Sequence, residues 1–164
     1  MCIRDRGNLD HVWATSWGVS TRLMGALIMS HGDDNGLVLP PKLAPYQIVI
    51  IPIFKSEKEL EDITNYVNPI IKGITEIGYT VKFDDRLNQK PGFKFNEHEI
   101  KGVPIRIAVG PRDLKENTIE IFRRDTLTKK NLKSSDAVNE IKFLIEDIQK
   151  TLYERSKDFM TTNT

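Results

Sequence analysis

Three residues near the start of the chain, Ser20, Thr21 and Arg22, have the chemistry of an anion-binding site. The apolar run at positions 23–29 predicts a buried helix, with Ser20 as its N-cap and Arg22 in its first turn. A cation at a helix N-terminus opposes the helix macrodipole at a cost of about 0.3–1 kcal/mol, and a bound anion removes that cost. We therefore predict an anion site at Arg22. The alternative is an ion pair between Arg22 and a carboxylate on a neighbouring element.

The residues just before this helix extend the possible site. Trp17 supplies a large flat ring, and Gly18 allows the backbone to approach a ligand closely. Positions 7–16 alternate imperfectly between apolar and polar residues and predict a strand. A strand, a glycine turn and an arginine at a helix start together predict a cradle for a nucleotide phosphate.

A second set of polar residues follows the predicted strands of the later part of the chain. In open α/β sheets, ligands bind where strands end and loops diverge. We expect three groups to converge there: Asp85 with Arg86, the helix that carries residues 97–99, and Arg112. A carboxylate beside an arginine suits guanine, because the carboxylate accepts from the donors of the base and the arginine donates to O6 and N7.

Arg106 is a charged residue in a predicted strand whose other face carries Ile105 and Ile107. The pattern leaves two interpretations open, an arginine on a solvated sheet face and an arginine that belongs to the binding site. Phe93 and Phe95 are similarly ambiguous, because they fit base stacking but fit core packing better.

A local basic strip lies further along the chain, interrupted only by Asp125. Charge runs are usually solvated surfaces, so the strip is a weak indication of RNA binding. Its members are Arg123, Arg124, Lys129, Lys130 and Lys133.

The segment HGDDNG at positions 31–36 places one imidazole close to two carboxylates. Its glycines and its asparagine favour a turn over a metal site. We predict no metal site in this chain.

Apolar periodicity predicts the elements that position these residues. Three prolines, Pro40, Pro41 and Pro45, mark a domain boundary near Ala44. The following part alternates strands and helices, which predicts an α/β domain with a mixed, mostly parallel sheet. Its predicted elements are a strand at 48–53, a helix at 56–78 capped by Ser56 and disturbed by Pro69, strands at 79–83, 103–109 and 119–122, a short helix at 93–102, a hairpin loop at 114–118, and a last helix capped by Asp136.

Composition limits the classes of protein that the chain can belong to. Its 164 residues are 39% hydrophobic and carry a net charge of +1, so a nucleic-acid site must depend on local charge. The single cysteine, Cys2, excludes a disulfide within the chain and a cysteine zinc site. No apolar run approaches the roughly 20 residues that cross a bilayer. Residues 1–6 are too short and too charged for a secretory signal, and we interpret them as a foreign or misread start.

Two stretches carry a family resemblance. TSWGVSTRLMGALIMSHGDDNGLVLPPKLAP resembles the third signature motif of class II aminoacyl-tRNA synthetases in its prolyl form. This resemblance implies that Arg22 binds the ATP triphosphate and acts in catalysis. The other residues implied are Ser20 and Thr21 at ATP, and Ser16, Trp17 and Gly18 at the proline pocket.

The second stretch, DDRLNQKPGFKFNEHEIKGVPIRIAVGPRDL, is similar to the anticodon-binding domain of prolyl-tRNA synthetases of the archaeal and eukaryotic type. The resemblance implies that Glu99 and Arg106 recognise the anticodon guanines of proline tRNA, and that Arg112 and Lys129 contact the anticodon loop. The family usually has an aromatic residue at the position of His98, so this chain departs from the pattern there.

The resemblance predicts a C-terminal piece of such a synthetase. Residues 7–44 are expected to end an antiparallel class II catalytic domain, and residues 45–164 to form an α/β anticodon-binding domain with helices flanking its sheet. The implied reaction activates proline with ATP and transfers it to proline tRNA, with Mg²⁺ held by residues outside this chain. The implied protein is cytoplasmic, unattached to membranes and a homodimer, and this piece alone is expected to be inactive.

Two alternatives remain open at the level of sequence. One is a free-standing anticodon-domain protein that binds RNA without catalysis. The other is a threonyl-, glycyl- or histidyl-tRNA synthetase relative, because these enzymes share the domain type.

Overall fold

The computed structural model describes residues 2–5, 8–11 and 15–163. Strands β1 (Cys2–Asp5) and β2 (Asn8–His11) form an antiparallel pair.

The strand predicted at 7–16 is present at positions 8–11. Its positions 7 and 12–14 lie outside the described residues, and Thr15 and Ser16 are in no strand. The interpretation of residues 1–6 as a foreign start stays a prediction.

Helix α1 (Arg22–His31) starts at the arginine. Ser20 as the N-cap is wrong: the N-cap is Thr21, whose φ of −58° and ψ of −16° are helical, and no side chain caps the helix. Backbone carbonyls fill this role, because Leu23 N donates to Ser20 O at 3.1 Å and Met24 N to Thr21 O at 3.0 Å. The prediction of a buried helix is also wrong within this chain, since α1 contains no buried residue.

The predicted turn after α1 is confirmed. Strands β3 (Gly32–Asp33) and β4 (Gly36–Leu37) pair as a hairpin around it. Gly36 has a φ of +126°, and a Cβ atom there would lie 2.6 Å from Ile100 Cα, so only glycine lets the hairpin sit this close to Ile100. The hairpin therefore packs on the later part of the chain.

A five-stranded mixed sheet forms the centre of the fold, in the order β6-β5-β7-β8-β9. The two pairings of β5 are parallel, and the pairings of β8 with β7 and β9 are antiparallel. The mixed sheet is as predicted. It contains one more antiparallel pairing than predicted, because strand β9 was not predicted. The strands are β5 (Ile48–Pro52), β6 (Val81–Phe83), β7 (Ile105–Val109), β8 (Thr118–Arg123) and β9 (Lys129–Lys133).

Four helices accompany the sheet. The predicted start of α2 is confirmed, because Ser56 Oγ accepts a hydrogen bond from Glu59 N at 3.3 Å. The predicted hairpin loop at 114–118 is wrong, because most of it belongs to the short helix α4. Pro111 starts α4, and Asp113 Oδ2 accepts from Gly110 N at 2.8 Å. The helices are α2 (Glu57–Glu76), α3 (Pro91–Ile100), α4 (Pro111–Glu116) and α5 (Ala137–Thr162).

The two faces of the sheet differ in their covering. Alternate residues of β5 and β7, such as Ile48 and Ile105, pack with α2 and α5 in the main hydrophobic core. The opposite residues, such as Val49, form a smaller cluster with Phe95 of α3. This second face is where a charged residue of β7 can lie beside α3. Within the described residues, no helix is long and apolar enough to cross a membrane.

Candidate functional site

Arg106 lies on the sheet face that α3 covers, because strand alternation sends Ile105 and Ile107 into the main core. Only 6% of its surface is exposed, so the solvated-face interpretation is wrong. Its guanidinium carbon lies 4.2 Å from the ring centroids of both Phe95 and Phe122. These contacts are cation–π interactions on a largely desolvated charge, and they hold the guanidinium in a fixed place.

Glu99 is the nearest carboxylate to this arginine. Glu99 Oε2 lies 3.8 Å from Arg106 NH1, close enough for attraction but beyond a hydrogen bond. Within residues 15–163, Arg106 Nε is buried and has no hydrogen-bond partner. Burial lowers the pKa of Arg106, and the charges of Glu99 and Glu120 oppose this effect. Arginine nevertheless stays protonated in proteins, so the site combines a fixed cation with a nearby, unbonded carboxylate.

Helix α3 positions this carboxylate through its periodicity. Phe95 and Glu99 are four residues apart and share one side of the helix, which faces Arg106. Lys94 and His98 are also four residues apart and share another side, which faces Asp84. One helix therefore carries both the candidate site and a supporting polar network.

The supporting network is built around Asp84, which is 2% exposed. Its carboxylate accepts from Arg86 Nε at 2.8 Å and from Arg86 NH2 at 2.7 Å. His98 Nε2 lies 2.9 Å from Oδ2 of Asp84, and Lys94 Nζ donates to the backbone oxygen of Asp84 at 2.9 Å. The Arg86 hydrogen bonds, with those of His98 and the charge of Lys94, hold the pKa of Asp84 well below its ordinary value.

This network corrects the predicted pairing of Asp85 with Arg86. Asp85 is exposed, and Arg86 binds Asp84 and, at 2.6 Å, Glu97 Oε2. The Nε and NH2 groups of Arg86 are therefore bonded to carboxylates of this network. The hydrogen bonds of Lys101 and then Arg86 lower the pKa of Glu97 to about 2.

Lys129 is brought near the candidate site by the strand register. Arg106 lies opposite Phe122 on β8, and Phe122 lies opposite Lys129 on β9, so the three share one row across the sheet. The Lys129 side chain is 58% exposed, and its Nζ lies 3.5 Å from Glu120 Oε1. A cation thus remains available to solvent at the open end of the row.

The two arginines of the basic strip are engaged inside the protein. Arg123 pairs with Asp125 at 2.8 Å and with Asp147 at 2.7 Å, and Arg124 is 1% exposed and binds Asp33. The lysines of the strip are exposed, and its weak indication of RNA binding stays a prediction. Its two arginines hold elements together.

Arg112 is not joined to the cluster. It is exposed on α4, which packs against α2 and β8, and the side chain of Leu114 on the same helix joins the main core. Among the described residues, Arg112 makes no ion pair with Glu99 or with the network of Asp84. Its role at an anticodon loop stays a prediction.

Two aromatic residues differ from the sequence-based expectation, Phe93 in its exposure and Phe122 in its contact with Arg106. Phe93 is 54% exposed, so core packing is wrong for it, whereas Phe95 packs as expected. Phe122, the second ring on Arg106, was not singled out from sequence. The sequence could have indicated it, because Phe122 lies in the predicted strand on the face opposite to Ile119 and Ile121.

The residues predicted for ATP and proline all lie at the surface. Trp17 is 92% exposed, and Ser16, Gly18, Ser20, Thr21 and Arg22 are exposed too. The structure neither assembles nor excludes their site, so their roles stay predictions. Within the described ranges, no group of three or more His, Cys, Asp or Glu residues is placed to hold a metal ion.

Comparison with known families matches the region that contains this site. A family model described as "Anticodon binding domain" matches residues 47–144. The matched range includes the whole five-stranded sheet and helices α2, α3 and α4, and hence Glu99, Arg106 and Lys129.

Similar curated proteins cover more of the chain. The proline–tRNA ligase of Christiangramia forsetii is 56% identical over 153 residues, which are 93% of this chain and 31% of that protein. The proline–tRNA ligase of Porphyromonas gingivalis is 55% identical over 158 residues, or 96% of this chain and 32% of that protein. That of Flavobacterium psychrophilum is 54% identical over 157 residues, again 96% and 32%. The chain spans roughly a third of the length of these relatives.

Proposed function

This chain belongs to the anticodon-binding domain family, and from its likeness to proline–tRNA ligases we propose that it supplies the anticodon-binding domain and one edge of the ATP and proline site of such a ligase. The relatives named above are ligases for proline, which favours this function over the threonyl, glycyl and histidyl alternatives. The same names favour part of an enzyme over a free-standing RNA-binding protein.

One observation carries the RNA-binding part of the proposal: Arg106 packs on two aromatic rings and has the carboxylate of Glu99 3.8 Å away without a hydrogen bond between them. Guanine presents acceptors at O6 and N7 and donors at N1 and N2, so it complements an arginine beside a carboxylate. Unpaired bases in RNA loops expose these edges. We assign guanine recognition in the anticodon of proline tRNA to Arg106 and Glu99.

Two further cations complete the proposed RNA surface. Lys129, at the exposed end of the Arg106 row, is suited to a phosphate or a base of the same loop. Arg112 would contact the loop from α4, apart from the guanine site.

The catalytic part of the proposal rests on the family resemblance of the segment at α1. In the whole ligase, the carboxylate of proline displaces pyrophosphate from ATP to give prolyl-adenylate, and the prolyl group then passes to the 3′ end of the tRNA with release of AMP. Arg22 would bind the triphosphate, and its charge would stabilise the transferring phosphates, with Ser20 and Thr21 beside it. Ser16, Trp17 and Gly18 would border proline. Following the same resemblance, we assign Mg²⁺ to residues outside this chain.

The whole ligase is also proposed to be a cytoplasmic homodimer. These assignments follow the family and concern the longer protein.

The direct test is a binding measurement on this chain. We expect it to bind a proline tRNA transcript about 5–150 times more tightly than the same transcript with its anticodon guanines changed to adenine, since one well-formed base contact is worth about 1–3 kcal/mol. Fluorescence anisotropy at fixed salt gives both affinities. Equal affinity for the two transcripts would contradict the proposed recognition.

A second expectation concerns catalysis. This chain alone should give no proline-dependent ATP–pyrophosphate exchange above background, because it spans roughly a third of its relatives' length and its ATP residues are exposed. The full-length Porphyromonas gingivalis ligase is a suitable positive control. Measurable exchange by the purified chain would show that these residues suffice for activation.

A further inference from the structure

Arg124 occupies an unusual place between the two parts of the chain. Its side chain is 1% exposed, and its Nε donates to the backbone oxygen of Glu99 at 3.0 Å. Its NH1 and NH2 groups donate to Oδ2 and Oδ1 of Asp33, at 2.7 and 2.5 Å. One guanidinium thus contacts both the backbone of Glu99 and the hairpin that follows α1.

The hairpin is itself closely fitted to this end of α3. A Cβ atom on Gly36 would lie 2.6 Å from Ile100 Cα, and a Cβ atom on Gly102 would lie 2.7 Å from Leu37. Leu39 N also donates to Gly102 O at 3.2 Å. Arg124 therefore holds the backbone carbonyl of Glu99. The hairpin packs against the next residue, Ile100.

Asp33 orients Arg124 from the hairpin side. The Arg124 hydrogen bonds lower the pKa of Asp33, and Asn35 N donates to the same carboxylate at 2.9 Å. A bidentate carboxylate fixes the plane of a guanidinium, which directs its remaining Nε–H group. This direction is the one in which the Glu99 carbonyl lies.

We propose that Arg124 is a positioning residue for guanine recognition, and that Asp33 orients it. By holding the carbonyl of Glu99, Arg124 fixes the backbone from which the Glu99 side chain extends. The carboxylate of that side chain lies 3.8 Å from Arg106. The inference rests on the proposed function of Glu99 and Arg106. It also means that the RNA site is anchored to the hairpin that continues directly from the C-terminus of α1.

The test compares Arg124→Lys with Arg123→Lys in the complete 164-residue chain. Lysine keeps the charge but does not supply the fork that spans Asp33 and the Glu99 carbonyl. The quantity measured is the discrimination ratio, the affinity for the proline tRNA transcript divided by the affinity for its adenine-substituted form. We expect Arg124→Lys to lower this ratio about tenfold, a change of 1.4 kcal/mol.

Arg123→Lys is the matched control. Arg123 is the preceding residue and has two ion pairs, with Asp125 and Asp147, and neither of them involves Glu99 or Arg106. Both variants should lower the thermal unfolding temperature, whereas only Arg124→Lys should lower the discrimination ratio. A purely structural role for Arg124 predicts an unchanged ratio in both variants and would overturn the proposal.

Asp33→Asn provides an independent variant if Arg124→Lys does not fold. The Asp33 side chain is 39% exposed and tolerates the isosteric change better than a buried residue does. We expect a smaller fall in the same ratio, and an unchanged ratio would overturn the proposal. Absence of discrimination by the unsubstituted chain is a different result, because it contradicts the proposed function itself.

Discussion

Replacing Asp84 with alanine is expected to lower the free energy of unfolding by about 3–5 kcal/mol, the usual cost of removing one partner from a buried ion pair. The side chains of Asp84, Lys94 and His98 are each 1% exposed. Without the carboxylate, the Lys94 ammonium keeps only a backbone oxygen as a polar partner among these contacts, and the ring of His98 loses its hydrogen bond. Urea unfolding followed by circular dichroism gives the change.

Asp85→Ala is the matched control for this substitution. Asp85 is adjacent and has the same side chain, but it is exposed. Its replacement is expected to change stability by less than about 0.5 kcal/mol. Similar losses in the two variants would contradict the central place of Asp84 in the network.

The pH dependence of the Asp84→Ala loss gives a second check. The pKa of Asp84 is depressed in the folded state from an ordinary value of 3.8, so its stabilising contribution is complete above that value. The contribution disappears as pH falls through the folded pKa. The difference in stability between the unsubstituted chain and Asp84→Ala should therefore be present at pH 7 and shrink below about pH 4. A difference that does not shrink in acid would mean that packing, and not charge, explains the loss.

The regular elements with apolar periodicity could be predicted from sequence. The spacing of Ile63, Val67, Ile70 and Ile74 gives the buried side of α2, and all four are in the main core. Strand β5 was predictable because its five residues are all buried, so no polar residue interrupts it. Such patterns predict structure well because burial of a whole apolar face outweighs local conformational preferences.

The missed elements lack this pattern. Strand β9 has the sequence KKNLK, and its four residues other than Leu132 are exposed. An edge strand that faces solvent needs no alternation, so its lysines look like a charge run. Helix α4 has the sequence PRDLKE, in which only Leu114 joins the core. Six residues are too few for a helical period to be recognised.

The residues of the candidate site also differ in whether the sequence could predict their contacts. Glu99 and Arg106 were assigned together from the family resemblance, and the structure brings them within 3.8 Å. The partner of Arg124 could not be predicted, because Asp33 is 91 residues away in sequence and the pairing depends on how the hairpin packs. The choice between Asp84 and Asp85 depended on where β6 ends, and element ends are set by hydrogen bonds that sequence patterns do not fix.

Replacing Arg106 with alanine is expected to weaken binding to proline tRNA by about 5–150-fold, corresponding to about 1–3 kcal/mol for an arginine that contacts guanine. The loss should nearly vanish for the transcript whose anticodon guanines are changed to adenine. The physical reason is that the rings of Phe95 and Phe122 hold the guanidinium in place, so its hydrogen bonds to a base depend on which base is present. Anisotropy titrations against both transcripts measure the two losses.

Arg106→Lys separates charge from geometry at the same position. Lysine keeps the positive charge but lacks the planar fork and its stacking, so discrimination should fall while the salt dependence of binding changes little. Arg112→Ala is the complementary control, since an exposed phosphate contact should weaken binding to both transcripts equally and reduce the salt slope by about one. If Arg106→Ala lost affinity equally for both transcripts, Arg106 would behave as a phosphate contact and would not recognise guanine.

A double-mutant cycle between Arg106→Ala and Glu99→Gln then tests whether the two side chains recognise one base. Residues that contact the same guanine lose their contributions together, so the combined loss should be smaller than the sum of the single losses. Additive losses would mean that Glu99 and Arg106 contact different bases, because independent sites add. The 3.8 Å separation of the two groups and the absence of a direct hydrogen bond between them favour the shared base. A guanine that donates to Glu99 and accepts from Arg106 would supply the bonds that these groups do not make with each other.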